Sequence, residues 1–193
     1  MSGPDAANYT ITVVNSILEV GKAPLHVEAN DALSVYGHAP PPLTAYYAGF
    51  VNGDTAATAI TGAPVLTTTV TAATPTGSYP IGVQLGTLAA TNYYIVLSGN
   101  GEGMVNVARA VVQAVPNNLT MTQGGPVPPL TYTINGFVNG DTAASAVTGA
   151  PVLTTSVTSA TPKGHYAILL SKGTLAAQNY YIIVGIGVMT VLP

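Results

Sequence analysis

Side chains able to do acid–base, nucleophilic or metal chemistry are few in these 193 residues. There are three histidines (His26, His38 and His165), seven carboxylates, eleven tyrosines and no cysteine. Without cysteine, disulfides and thiolate chemistry are excluded, and a zinc site would rest on three histidines far apart in sequence. No residue resembles a nucleophile paired with a base and an orienting acid. Asp54 and Asp141 could each contribute to a calcium site, but no second or third carboxylate lies close to either in sequence. Each precedes Thr-Ala-Ala, so each is read as a helix N-cap worth about 1 kcal/mol. The tyrosine pairs Tyr46-Tyr47, Tyr93-Tyr94 and Tyr180-Tyr181 could offer flat faces to sugars or partner proteins. Neighbours on a strand point to opposite faces, so at most one of each pair is free for recognition. Tyr46, Tyr47, Tyr94 and Tyr181 are the candidates; the alternative is that one of each pair fills the core and the other covers a sheet face.

These residues sit in a chain that repeats itself. Gly49-Phe50-Val51-Asn52-Gly53-Asp54-Thr55 returns as Gly136-Phe137-Val138-Asn139-Gly140-Asp141-Thr142, an offset of 87 residues. The offset holds without a gap from Leu43/Leu130 to Ile95/Ile182, with roughly two-thirds of positions identical. A fixed period of that size means tandem copies of one folding unit. The copies also act as a filter: a residue the fold requires should occur in both. Of the acids only Asp54/Asp141 are shared, and of the cations only Lys22/Arg109, at the junction where each unit begins. None of the histidines has a counterpart. Gly53/Gly140 and Tyr79/Tyr166 are shared and read as structural, the tyrosines anchoring the strand that follows a Thr-Pro-x-Gly turn.

The elements that must position these residues are strands. Thr10-Ile11-Thr12-Val13-Val14, Leu66-Thr67-Thr68-Thr69-Val70-Thr71 and Ile182-Ile183-Val184 are rich in β-branched residues and bounded by Gly, Pro and Asn. Each unit is expected to run from a strand at Leu25–Glu28 (Val111–Val115) through a loop to one at Leu43–Tyr47 (Leu130–Ile134). A short helix beginning at Asp54 (Asp141) follows, then strands at Val65–Thr71 and Tyr79–Leu85, and a closing pair at Tyr93–Leu97 and Met104–Val107. The fold class is mainly β: two small antiparallel domains, each with one short helix, built as an Ig-like sandwich or a β-grasp-like sheet. Asn8-Tyr9-Thr10-Ile11 resembles Asn92-Tyr93-Tyr94-Ile95, and Ile17-Leu18-Glu19-Val20 resembles Val188-Met189-Thr190-Val191. The expected organisation is therefore 1–21 as the closing strand pair of a preceding repeat, 22–108 as unit 1 and 109–193 as unit 2.

Composition narrows the function classes. Only 6% of residues are charged, against about 25% in ordinary domains, yet 48% are apolar, which favours packed structure over disorder. Four cations in a net charge of −3 cannot form a basic patch, which removes the electrostatic case for nucleic acid. No apolar run approaches the roughly 20 residues of a membrane helix. The first residues, Met1-Ser2-Gly3-Pro4-Asp5, lack the basic start and apolar stretch of a signal peptide.

The combined motifs resemble the MBG domain of the YGX type, a repeat of large bacterial extracellular and adhesin-like proteins. They are Lys22-Ala23-Pro24-Leu25, Val35-Tyr36-Gly37, Pro42-Leu43-Thr44, Gly49 to Thr55, Thr74-Pro75-Thr76-Gly77-Ser78-Tyr79, and Gly86-Thr87-Leu88-Ala89-Ala90-Thr91-Asn92-Tyr93. The second copy departs from the pattern where Tyr36-Gly37 becomes Gln123-Gly124 and Lys22-Ala23-Pro24 becomes Arg109-Ala110-Val111. The resemblance implies an extracellular, cell-surface repeat without enzymatic activity or catalytic residues. The expected function is a structural or adhesive tandem module, needing no cofactor or metal, whose partners are neighbouring repeats. Alternatives are a fibre subunit that adds residues 8–21 to a neighbouring sheet, and a carbohydrate-binding module that presents tyrosines to a glycan or host-surface partner.

Overall fold

The computed structural model describes residues 8–10, 12–99 and 103–193. Unit 1 holds β1 (Ala23–Ala29), β2 (Ala32–Val35), β3 (Ala45–Ala48), α1 (Ala56–Ala59), β4 (Ile60–Thr61), β5 (Val65–Thr67) and β6 (Gly77–Pro80). It continues with β7 (Gly82–Gln84), β8 (Ala89–Ala90), β9 (Tyr93–Leu97) and β10 (Met104–Ala108). Unit 2 repeats the plan with β11 (Ala110–Pro116), β12 (Leu119–Thr122), β13 (Tyr132–Asn135), α2 (Ala143–Ala146), β14 (Val152–Thr155), β15 (Gly164–Ser171), β16 (Tyr180–Val184) and β17 (Ile186–Leu192).

β1 alternates strictly, with Leu25, Val27 and Ala29 inside and Pro24 and His26 outside. β11 does the same with Ala110, Val112 and Ala114. That period of two is what a sheet with one wet face requires. The closing strands bury Val105 and Val107 in unit 1, and Met189 and Val191 in unit 2. Each unit has two layers: in unit 2 the sheet β13-β11-β16 packs through β11 onto β15 and β17 of the sheet β12-β17-β15-β14. The four-residue helices bury no residue, so the arrangement is a sandwich and not a sheet grasping a helix.

Three expectations are corrected. The stretch after β1, expected as a loop, contains β2, and its counterpart after β11 contains β12. The sheets are mixed. Pairs such as β1–β3, β6–β10 and β15–β17 are antiparallel, but β9 runs parallel to β1, β10 to β2, β16 to β11 and β17 to β12. The closing strands reach their partners only after the whole body of the unit has intervened, and a long crossover permits parallel pairing where a tight turn does not. Finally, the described residues between 8 and 21 form no strand, and Val13, Val14, Ile17, Leu18 and Val20 lie exposed. Their counterparts β9 and β10 are strands because β1, β2 and β6 flank them. No described sheet offers residues 8–21 such a place.

The units differ in two places. Unit 1 pairs β4 with β8, where unit 2 has the single bridge Thr148–Ala176. β15 is continuous, whereas its counterpart is divided into β6 and β7 at Ile81, directly after Pro80. Pro80 brings no N–H to the ladder, and unit 2 has Ala167 there.

Candidate functional site

In each unit a polar group that joins distant parts of the chain is built on a tight turn. Val51-Asn52-Gly53-Asp54 closes with the Asp54 N–H donating to the Val51 carbonyl at 3.0 Å. Asn52 and Gly53 both have positive φ, +56° and +79°, as do Asn139 and Gly140, at +56° and +76°. Asn-Gly suits this turn because its central pair must adopt left-handed conformations that other side chains resist. The turn delivers the Asp54 carboxylate to Tyr93 at the start of β9. The Tyr93 hydroxyl donates to Asp54 Oδ2 at 2.7 Å and accepts from the Val51 N–H at 3.1 Å. Phe50 braces the phenol edge-on, with ring centroids 5.7 Å apart. Unit 2 repeats the group: Tyr180 donates to Asp141 Oδ2 at 2.6 Å, accepts from Val138 N–H at 3.2 Å, and stacks edge-on with Phe137 at 5.3 Å.

At Asp141 a second phenol arrives from unit 1. Tyr36, at the end of β2, donates to the same Asp141 Oδ2 at 3.0 Å and meets the Tyr180 ring edge-on at 5.5 Å. Around it the joint closes with further hydrogen bonds between the units. Asn139 Nδ2 donates to the Ala72 carbonyl at 2.9 Å. The Thr76 N–H donates to Asn179 Oδ1 at 3.1 Å, and the Thr76 hydroxyl to the Gln178 carbonyl at 3.2 Å. Gly37 lies against Val138 so closely that a Cβ there would stand 2.7 Å from Val138 Cβ. One apolar core therefore runs through both units, from Ala29, Tyr36, Val70 and Ile81 to Val112, Leu175 and Tyr180.

The phenols titrate accordingly. Burial, followed by the hydrogen bond to the Asp141 carboxylate, pushes Tyr180 up to about 12, although the Val138 N–H pulls the other way. Tyr93 is also raised: the Val51 N–H lowers it, but burial and the neighbouring Asp54 carboxylate together outweigh that. Both hydroxyls are thus held as neutral donors to the neighbouring carboxylates.

The helix N-cap expected at Asp54 and Asp141 is corrected. The caps are Thr55 and Thr142, which exchange hydrogen bonds with Thr58 and Ser145 three residues on. This frees each aspartate for its tyrosine. Of the tyrosine pairs, Tyr93 and Tyr180 are buried, while Tyr94 and Tyr181 are 53% and 60% exposed. Tyr46 is exposed and Tyr47 half-buried. Register places Tyr46 opposite Glu28 and Tyr94 opposite Pro24, so both lie on the outer face of the sheet β3-β1-β9. Tyr181 stands alone on the equivalent face of unit 2, where Thr133 replaces Tyr46. Tyr79 and Tyr166 donate back to the carbonyls of Pro75 and Pro162, at 2.9 and 3.0 Å, and hold the Thr-Pro turn onto the strand it starts. His26, His38 and His165 are exposed. Among the described residues, no three His, Asp or Glu side chains gather as a metal site would require.

Sequence reasoning missed the Asp–Tyr pair and Tyr36 as its partner. The pair had a signal, since Asp54/Tyr93 and Asp141/Tyr180 recur at one spacing. Tyr36 was marked only as part of the motif Val35-Tyr36-Gly37; with no tyrosine at that place in the second copy, its partner had no recurring spacing to reveal it.

The family model for the MBG domain (YGX type) matches residues 25–102 and again 111–190. The chain belongs to the YGX-type MBG domain family. No curated protein and no solved structure matched it. In this MBG chain the stretch that reads Y-G-X is Tyr36-Gly37-His38, and its Tyr-Gly forms the contact between repeats. MBG repeats are structural tandem modules typical of extracellular proteins. No helix among the described residues is long and apolar enough to cross a membrane.

Proposed function

We propose that this chain is a stiff spacer of a bacterial cell-surface protein, a non-catalytic stalk in which MBG repeats are locked end to end. The joint supports this reading best: Tyr36 of unit 1 enters the Asp141–Tyr180 pair of unit 2, and one apolar core continues across it. A flexible linker would leave each unit to close its own core, and relative motion would be the default. Residual dipolar couplings measured on the full chain should fit a single alignment tensor for both units. Two independent tensors would remove the stalk reading.

A second reading, strand addition into a fibre, is favoured by the exposed apolar side chains of Val13, Val14, Ile17, Leu18 and Val20. Light scattering on the full chain and on a version lacking residues 1–21 separates the two. A single-chain mass for both would reject the fibre; assembly only by the full chain would support it.

A further inference from the structure

The socket that Tyr36 fills on unit 2 exists a second time, on the outer face of unit 1. The residues whose side chains receive unit 1 at the joint have identical counterparts there: Val51 for Val138, Asn52 for Asn139, Asp54 for Asp141, Asn92 for Asn179 and Tyr93 for Tyr180; Gln178, which accepts through its backbone carbonyl, is matched by Thr91. The local geometry is the same, with the same Asn-Gly turn and the same phenol on the same carboxylate. The difference is occupancy. Asp141 Oδ2 accepts two phenols, whereas Asp54 Oδ2 accepts only Tyr93 among the described residues. Asn179 and Val138 are partly covered, whereas Asn92 and Val51 are exposed. This face is a cleft of about 460 Å³ lined by Val51, Asn52, Asp54, Asn92 and Tyr93, and by Val20 to Lys22 of the segment that leads into β1.

We propose that this face is a docking site for the Tyr-Gly turn of another MBG-type repeat, one with tyrosine at the position of Tyr36 and a small hydroxyl residue at that of Thr76. The proposal rests on the stacked-repeat reading of the internal joint and deepens it by naming the partner. The docked tyrosine donates to Asp54 Oδ2 and lies edge-on against Tyr93. Its glycine passes over Val51, where a Cβ would collide as it would at Gly37. Asn52 donates to a carbonyl of the incoming loop, and Asn92 accepts from its backbone. The chain does not offer this plug on its own second unit. There, Gln123 stands for Tyr36, Ser159 for Ala72 and Lys163 for Thr76, and all three are exposed. Gln123 has no ring to set against Tyr93. Lys163 brings a long, strongly hydrated ammonium in place of the compact Thr76 hydroxyl that donates to the Gln178 carbonyl. The molecule thus has two sockets and one plug. The socket selects a Tyr-Gly repeat over a second copy of this chain.

The test restores the missing plug. In full-length protein, Gln123→Tyr with Lys163→Thr should give concentration-dependent head-to-tail association in sedimentation equilibrium. The amide signals of Val51, Asn52 and Thr91 should shift as concentration rises, whereas the unaltered chain shows neither effect. Adding Asn52→Gly, which keeps the left-handed turn but removes the amide donor, should weaken association about tenfold, as should Asp54→Ala. If Asp54→Ala fails to fold by circular dichroism, Asn52→Gly alone decides. A plug-bearing variant that stays single-chain at every concentration, or association indifferent to the socket substitutions, overturns the proposal. The stalk reading is tested separately by the alignment tensors of the unaltered chain, so the two can fail independently.

Discussion

The two repeats share the Asp–Tyr pair but use it differently. In unit 1 the pair serves its own unit, tying the Asn-Gly turn to β9. In unit 2 the same atoms also receive Tyr36 and become the centre of a joint. No new chemistry was needed, because a carboxylate oxygen with one phenol bonded still has a lone pair for another. What separates the units is the plug: Tyr36, Ala72 and Thr76 in one, Gln123, Ser159 and Lys163 in the other. A family motif can therefore be kept in one repeat and dispensed with in the next.

The sharpest way to break this comparison is to make one change in both units. Tyr180→Ala removes a ring stacked by both Phe137 and Tyr36 and strands the Asp141 carboxylate. It should cost about 3–5 kcal/mol in urea unfolding and separate the transitions of the two units. Tyr93→Ala, which loses a single stacking partner, should cost less and leave the joint intact.

Gly37→Ala comes next. Its φ of +94° disfavours alanine and the added methyl meets Val138, so a loss of about 2–3 kcal/mol is expected, with two alignment tensors replacing one. Gly124→Ala has a similar φ, +85°, but no atom within 4 Å, and should cost only the backbone strain of about 1 kcal/mol. Equal losses at the two glycines would contradict the joint.

Tyr36→Phe keeps the ring and deletes the donor to Asp141. A loss of about 1 kcal/mol is expected, measured against Gln123→Leu at the equivalent exposed site, which should stay within about 0.5 kcal/mol of the parent.

The smallest effect is on alkaline stability. Tyr180 is raised to about 12 in the folded chain from the usual 10, so the unfolded state loses its proton first. The stabilisation is complete below pH 10 and is lost as pH climbs through about 12. Thermal unfolding between those values should show a decline that Tyr180→Phe flattens.

The limits of the sequence reading follow the range of the forces involved. β1, β9, β10 and β16 lie close to where alternation and β-branched residues put them, because a half-buried strand carries its period locally. β2 and β12 were hidden: each is only four residues long and has one buried side chain, Ser34 or Met121. Strand direction was also illegible, since alternation marks a face and not a partner. At Asp54-Thr55 two good capping residues stand side by side. Local propensity cannot choose between them when the deciding partner, Tyr93, is 39 residues away.

By itself, then, the sequence determined a duplicated, sparsely charged, β-rich chain of the MBG type, with Asp54/Asp141 and the Asn-Gly turns common to both copies. Those properties follow from composition, period and backbone preference, which neighbouring residues carry. Only the tertiary structure decided that the aspartates bind tyrosines, that the closing strands run parallel, and that Tyr36 belongs to its neighbour's site. Each depends on groups brought together across tens of residues, where burial makes an unpaired hydroxyl or carboxylate too costly to leave unsatisfied.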